Sequence, residues 1–206
     1  MFGTRFARWQ ARRYRRRGLD TTAKRMVEFV AERGIEGATV LEIGGGVGEI
    51  QLELLRRGAA SATNLELVGA YDDFARELAA AAGLTGRVRR RVLDIAVTPQ
   101  EVEPADVVVL HRVVCCYPDY ERLLGAAADH ARELLVFSHP PRNAVSRAVL
   151  GVQNATFRVS GKSFRTFAHP PGAMLEVVAR RGMNVSYMHK GAVWQVAGLE
   201  RAATKA

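Results

Sequence analysis

The chain is predicted to fold as one α/β domain. The sheet is doubly wound, has seven strands, is mostly parallel with the last strand antiparallel, and follows an N-terminal helical arm. Three observations carry this. From residue 39 onward short apolar runs alternate with helix-like segments, the pattern of a parallel sheet covered by helices on both faces. At 40–48, Val-Leu-Glu-Ile-Gly-Gly-Gly-Val-Gly joins the first of those runs to a helix through alternate glycines, Gly44, Gly46 and Gly48. Two strand-like runs around Lys190-Gly191 form an antiparallel finish, and the 206 residues leave no length for a second domain.

The elements follow in order. Residues 4–17 suit a helix with Phe2, Phe6 and Trp9 near one face and arginines around the rest. Gly18 ends it, and Asp20 can cap a second helix running to about Glu32 and stopped by Gly34. Strands are expected at 39–43, 62–67, 87–93 and 106–111, with helices at 48–57, 70–82 and 118–131 between and after them. Asp106-Val-Val-Val-Leu-His111 is an unbroken apolar run, as expected of a parallel strand buried on both faces. A fifth strand at 134–137 ends in Ser138-His139-Pro140-Pro141. From 142 to 170 there is no clean period, which suggests a variable segment covering a substrate. A helix at 172–181 and strands at 185–188 and 193–199 close the chain. Residues 1–35 therefore read as a basic helical arm or lid and 36–206 as the ligand-binding domain.

Charge is concentrated in the arm. Residues 1–25 hold nine Lys or Arg against one acid, Asp20, which leaves the rest nearly neutral although the chain totals +9. Arginine outnumbers lysine 26 to 4, a bias that GC-rich coding also explains. No apolar run reaches transmembrane length and residues 1–20 lack a signal peptide's apolar centre. Adjacent Cys115 and Cys116 can neither staple the fold nor match metal-ligand spacing, so no metal is expected and a reducing, cytoplasmic location follows.

The glycine run implies a nucleotide-sized socket, because glycine permits positive φ and lets a ligand approach the backbone at a helix N-terminus. A dinucleotide fingerprint would require glycine at 49, where Glu49 stands, and a carboxylate there is a poor neighbour for a pyrophosphate. It is compatible with a cationic or zwitterionic ligand such as S-adenosylmethionine (SAM). Each SAM-contacting role has a candidate. Gly44, Gly46 and Gly48 offer backbone to the methionine and ribose parts, and Glu42 can help hold the amino group. Glu66, 24 residues after Glu42, can accept both ribose hydroxyls, and Asp94 with Ile95 can meet the adenine. The plainer readings are a glycine turn, a solvated Glu66 and a helix-capping Asp94.

With these residues, Glu42-x-Gly44-x-Gly46-x-Gly48 resembles motif I of the class I SAM-dependent methyltransferases, a Rossmann-like fold, over about residues 36–200. Within that superfamily there is a faint similarity to the magnesium-protoporphyrin O-methyltransferase branch. It rests on the aromatic basic arm (Phe6, Arg8, Trp9, Tyr14), Tyr117-Pro118, and the run from Leu135 to Arg142. The chain departs from that branch at Arg112 and Cys116, where Asp and His would be expected.

Methyl transfer from a sulfonium asks the protein to align an acceptor and take a proton. His111 at the end of strand four and His139 at the end of strand five are candidate bases, Tyr117 a candidate orienting group, and His111 can alternatively line the cofactor site. His130, His169 and His189 read as surface or loop residues. The arm has three readings: a lid over the cofactor with Tyr14 or Trp9 reaching the site, an RNA tether, or a peripheral membrane contact through Phe2, Phe6 and Trp9. The expected function is methyl transfer to oxygen, nitrogen or carbon of a small molecule. The alternatives are an RNA methyltransferase and a SAM-binding subunit without turnover.

Overall fold

A computed structural model of the chain describes residues 3–161 and 164–202. Its seven strands, β1 (Thr39–Ile43), β2 (Ser61–Glu66), β3 (Val88–Val92), β4 (Ala105–Leu110), β5 (Ala131–His139), β6 (Met183–Lys190) and β7 (Gln195–Arg201), form one sheet in the order β3-β2-β1-β4-β5-β7-β6. The first five pair in parallel; β7 runs antiparallel to both β5 and β6. The helices are α1 (Thr4–Arg17), α2 (Thr21–Ala31), α3 (Glu49–Arg56), α4 (Asp72–Ala81), α5 (Tyr120–His130), α6 (Ala144–Val159) and α7 (Pro171–Ala179). Among the described residues no helix is long and apolar enough to cross a membrane.

The unbroken apolar strands serve two cores at once. Val107 and Val109 of β4 and Leu134 and Val136 of β5 pack with α1, α2 and α3, while Val108, Leu110, Leu135 and Phe137 pack with α5 and α7. Adjacent residues of a strand point to opposite faces, so each face needs its own apolar set. Helix α2 starts where the Asp20 carboxylate accepts the N–H groups of Thr22 and Ala23, both at 2.9 Å. It ends in the core: Phe29 lies against Gly198 of β7, where a Cβ would come within 2.5 Å of the ring. The absence of a side chain there lets α2 settle onto the sheet.

Two expectations change. The segment 142–170 contains α6, capped by Asn143, whose Oδ1 accepts the Ser146 N–H at 2.8 Å. None of its residues is buried, and it is tied inward by Asn154, which exchanges two 2.8 Å hydrogen bonds with the backbone of Thr166. A helix attached through amide bonds does not display an apolar period pointing at the core. His130 is buried rather than on the surface, its ring nitrogens facing the carbonyls of Ala126 and Pro99 at 2.7 and 3.0 Å.

Strand order reverses between β1 and β4, since the chain winds out from β1 to β3 and then returns to β4 on β1's other side. Crevices at such switch points, beyond the carboxyl ends of the strands, are where open α/β sheets bind ligands.

Candidate active site

The β1–α3 loop is shaped by its glycines. Gly44 sits at φ 65° and donates to the Leu65 carbonyl at 2.7 Å; a Cβ there would lie 2.5 Å from a Val113 methyl. Gly46, at φ 56°, donates its N–H to Glu66 Oε1 at 2.5 Å, and its carbonyl accepts from Arg90 at 3.0 Å. The loop is thereby fixed to the end of β2 and to Arg90 of β3 before any ligand arrives. Burial raises the pKa of Glu66, and the N–H groups of Gly46 and Leu67 pull it back.

Above this loop lies a cavity of about 380 Å³. Of the residues singled out from sequence, Gly44, Gly46, Glu66, Asp94, Ile95, His111 and Tyr117 line it. Asp94 is held on both oxygens, accepting the Ala96 N–H at 2.9 Å and the Tyr117 hydroxyl at 2.9 Å. Burial and this bond raise the Tyr117 pKa to about 12, so the phenol remains a donor.

Glu42, Gly48 and His139 are not among the lining residues. Glu42 is fully buried beneath the loop, where it accepts from the Gln51 N–H at 3.3 Å and the Asn64 amide at 3.4 Å. Burial pushes its pKa up to about 8. Gly48 is the left-handed N-cap of α3, and a Cβ there would meet the Gln51 amide. His139 still belongs to β5, pairs in register with Gln195 of β7, and turns Nδ1 to the Pro140 carbonyl at 3.0 Å.

The arm forms the roof. Phe6, Trp9, Gln10 and Arg13 of α1 line the cavity, with the rings of Phe6 and Trp9 5.6 Å apart; Phe164 contributes from the segment after α6. On the neighbouring face of α1, Ala7, Ala11 and Tyr14 are buried in the core. Tyr14 does not reach the cavity; its hydroxyl donates to Glu53 at 2.6 Å and accepts from Arg56 at 2.9 Å.

Under this roof lies a charged cluster that sequence reading missed. Asp20 uses Oδ1 to cap α2, and its Oδ2 sits 2.8 Å from Arg112, 3.4 Å from Arg13 and 3.7 Å from His111 Nε2. Arg112, at φ 60°, is the one non-glycine with positive φ among the described residues, and its guanidinium lies 5.0 Å from the Trp194 ring centre. Such strain persists where surrounding contacts hold it. His111 Nδ1 is 3.0 Å from Ser138 Oγ, which also accepts the Arg112 N–H at 2.9 Å. Burial lowers the His111 pKa against the opposing pull of Asp20. Glu49 lines the cavity with a buried Oε2 that has no hydrogen-bond partner; burial raises its pKa to about 7, partly offset by Arg13. In the sequence Asp20 reads only as a cap, and nothing local shows that its second oxygen reaches the end of β4.

A glycine loop after β1, an acid at the end of β2, an aspartate after β3 and the β7 reversal together define the class I methyltransferase fold. The chain belongs to the Methyltransferase domain family, which it matches over residues 11–185, and it is a SAM-dependent methyltransferase. Among curated proteins, none matches the chain. Solved structures share the fold. The magnesium protoporphyrin IX methyltransferase from Synechocystis with bound SAH is 20% identical, with a TM-score of 0.68 over 88% of this chain and 82% of that one. An O-methyltransferase family protein from Burkholderia thailandensis is 22% identical, TM-score 0.74, over 98% of this chain and 61% of that one. A TehB-like SAM-dependent methyltransferase from Corynebacterium glutamicum is 16% identical, TM-score 0.67, over 97% and 98%.

The residues present fit SAM. Gly44, Gly46 and Glu66 line the cavity together, and lining residues of both charge signs, Glu49 and Arg13, suit a ligand that carries both an ammonium and a carboxylate.

Proposed function

We propose that the protein transfers a methyl group from SAM to oxygen, nitrogen or carbon of a small molecule held beneath the arm. The observation that carries this reading is the aromatic roof: Phe6, Trp9 and Phe164 close over the same cavity that Glu66 and Asp94 line. Cavities that are mostly apolar with a few placed polar groups suit small ligands. The structural neighbours acting on magnesium protoporphyrin IX and on mitomycin, the latter 20% identical with a TM-score of 0.65, are in keeping with it. An RNA substrate would need an open basic groove, whereas of the arm's arginines only Arg13 lines the cavity.

SAM supplies the electrophilic methyl on its sulfonium. Glu66 would hold the ribose hydroxyls, and Asp94, steadied by Tyr117, would accept from the adenine beside Ile95. Glu49 would answer the amino group in place of Glu42, and Arg13 would answer the carboxylate. His111 takes the acceptor's proton on Nε2. With its own proton on Nδ1, donated to Ser138 Oγ, the neutral ring presents that lone pair, and Asp20 steadies the imidazolium that forms. The test is to incubate metabolite extracts with the protein and SAM and look by mass spectrometry for a gain of one methylene. No methylated product from small-molecule extracts, with methylated RNA instead, would overturn the reading.

The Glu49 assignment carries a pH prediction. A group with a pKa near 7 is half protonated at neutrality, and only its ionised form attracts an ammonium. SAM affinity should therefore rise as pH increases from 6 to 7.5, and Glu49→Gln should flatten that rise while weakening binding at the upper end. Calorimetric titration across this range checks it; equal slopes for the two proteins would remove Glu49 from the role.

A further inference from the structure

We propose that the rim of the cavity docks on an anionic lipid surface, through the outer face of α1 and the valine face of α6. On α1, Ala7, Ala11 and Tyr14 face the core, and Phe6, Gln10 and Arg13 face the cavity. Helical spacing then sets Arg5, Arg12 and Arg16 together on the outward side with Trp9, which is 57% exposed although it also lines the cavity. Arg5, Arg12 and Arg16 are exposed and make no ion pair among the described residues; the other outer arginines are engaged, Arg8 over the Phe74 ring and Arg15 with Glu77.

The second face is on α6. Val145, Val149, Val152 and Val159 share one face of it and are 60–89% exposed. From 140 to 175 the sequence has five cations and no acid. The chain leaving α6 reaches the same opening as α1, because Phe164, just beyond α6, lines it together with Phe6 and Trp9 of α1.

An apolar helix face and a tryptophan set among unpaired arginines are complementary to a surface with negative headgroups over hydrocarbon. A second copy of this chain is disfavoured by this charge, because two copies would bring like-charged rims together. Nucleic acid would match the arginines but leave the four exposed valines unanswered. Docking goes beyond the proposed activity and does not depend on which acceptor is methylated.

The test is sedimentation of the full-length protein with vesicles of phosphatidylcholine alone or mixed with phosphatidylglycerol. Binding to the mixed vesicles only is expected. A basic residue near an anionic surface contributes on the order of fivefold in partitioning, so Arg5→Gln/Arg12→Gln/Arg16→Gln together should lower it about a hundredfold. Val149→Asp/Val152→Asp should also lower it. These positions are exposed and outside the cavity lining, so melting temperature and SAM affinity should stay at wild-type values in both variants. Absence of binding to the mixed vesicles, undiminished binding in either variant, or loss of the vesicle-bound protein to a short single-stranded RNA at equimolar phosphate would overturn the proposal.

Discussion

Glu66→Ala should weaken SAM binding by about 1.5–3 kcal/mol, the range of charge-assisted hydrogen bonds made in a partly desolvated site. The carboxylate has two tasks that alanine cannot perform. It faces the cavity where ribose hydroxyls would sit, and its Oε1 fixes the Gly46 N–H and so the shape of the loop. Glu66→Gln separates them. The amide oxygen can still accept the Gly46 N–H, but the amide loses the negative charge and can no longer accept two hydroxyls at once. Calorimetric titration with SAM should rank wild type above Glu66→Gln above Glu66→Ala, with circular dichroism unchanged because Glu66 ends a strand and lies outside both apolar cores. Unaltered affinity in Glu66→Ala, or tighter binding of NAD than SAM by the wild type, would defeat the assignment.

The sequence exposes the strand ends well and side-chain direction at those ends poorly. Parallel strands buried on both faces leave long apolar runs, so the acids at the end of β2 and after β3 and the glycines after β1 stand out. Glu42 lies within a strand, and the alternation that sends Leu41 and Ile43 to one core sends Glu42 the other way, beneath the loop and toward Gln51 of α3. Glu49, the first residue of the helix beyond the loop, reaches the cavity instead. His139 misses the cavity because β5 runs on to residue 139 to pair with β7, a partner 56 residues further along the chain at Gln195. Long-range pairing of that kind leaves no local mark. The same holds for the charged cluster, in which Asp20 from the arm, Glu49 from β1–α3 and Arg112 from the end of β4 meet only in the folded chain.

That cluster makes Asp20 the residue whose loss should loosen the arm. Burial alone would raise the Asp20 pKa, but the His111 ring facing its Oδ2, the Ala23 N–H and the charge of Arg112 hold it well below the usual carboxylate range. Asp20→Ala removes the α2 cap and leaves Arg13 and Arg112 without their shared counter-charge. The expected loss is about 2–3 kcal/mol at pH 7, combining a cap with a half-buried ion pair. A depressed carboxylate contributes stability above its ordinary pKa and loses it as pH falls through that range. The difference between wild type and Asp20→Ala in urea unfolding should therefore be full at neutrality and shrink below about pH 4. The arm should report the same event, since trypsin cuts after arginine and α1 carries seven of them. Asp20→Ala should be cleaved within residues 5–17 faster than wild type at a concentration of urea that leaves both cores folded, and saturating SAM should slow the cut in wild type more than in the variant. Ala7, Ala11 and Tyr14 would still anchor α1 to the core, so the variant should keep its sheet and lose the closed roof. Equal cleavage rates with and without the Asp20 carboxylate would mean that α1 is held by its apolar face alone and that the charged cluster does not fasten the arm.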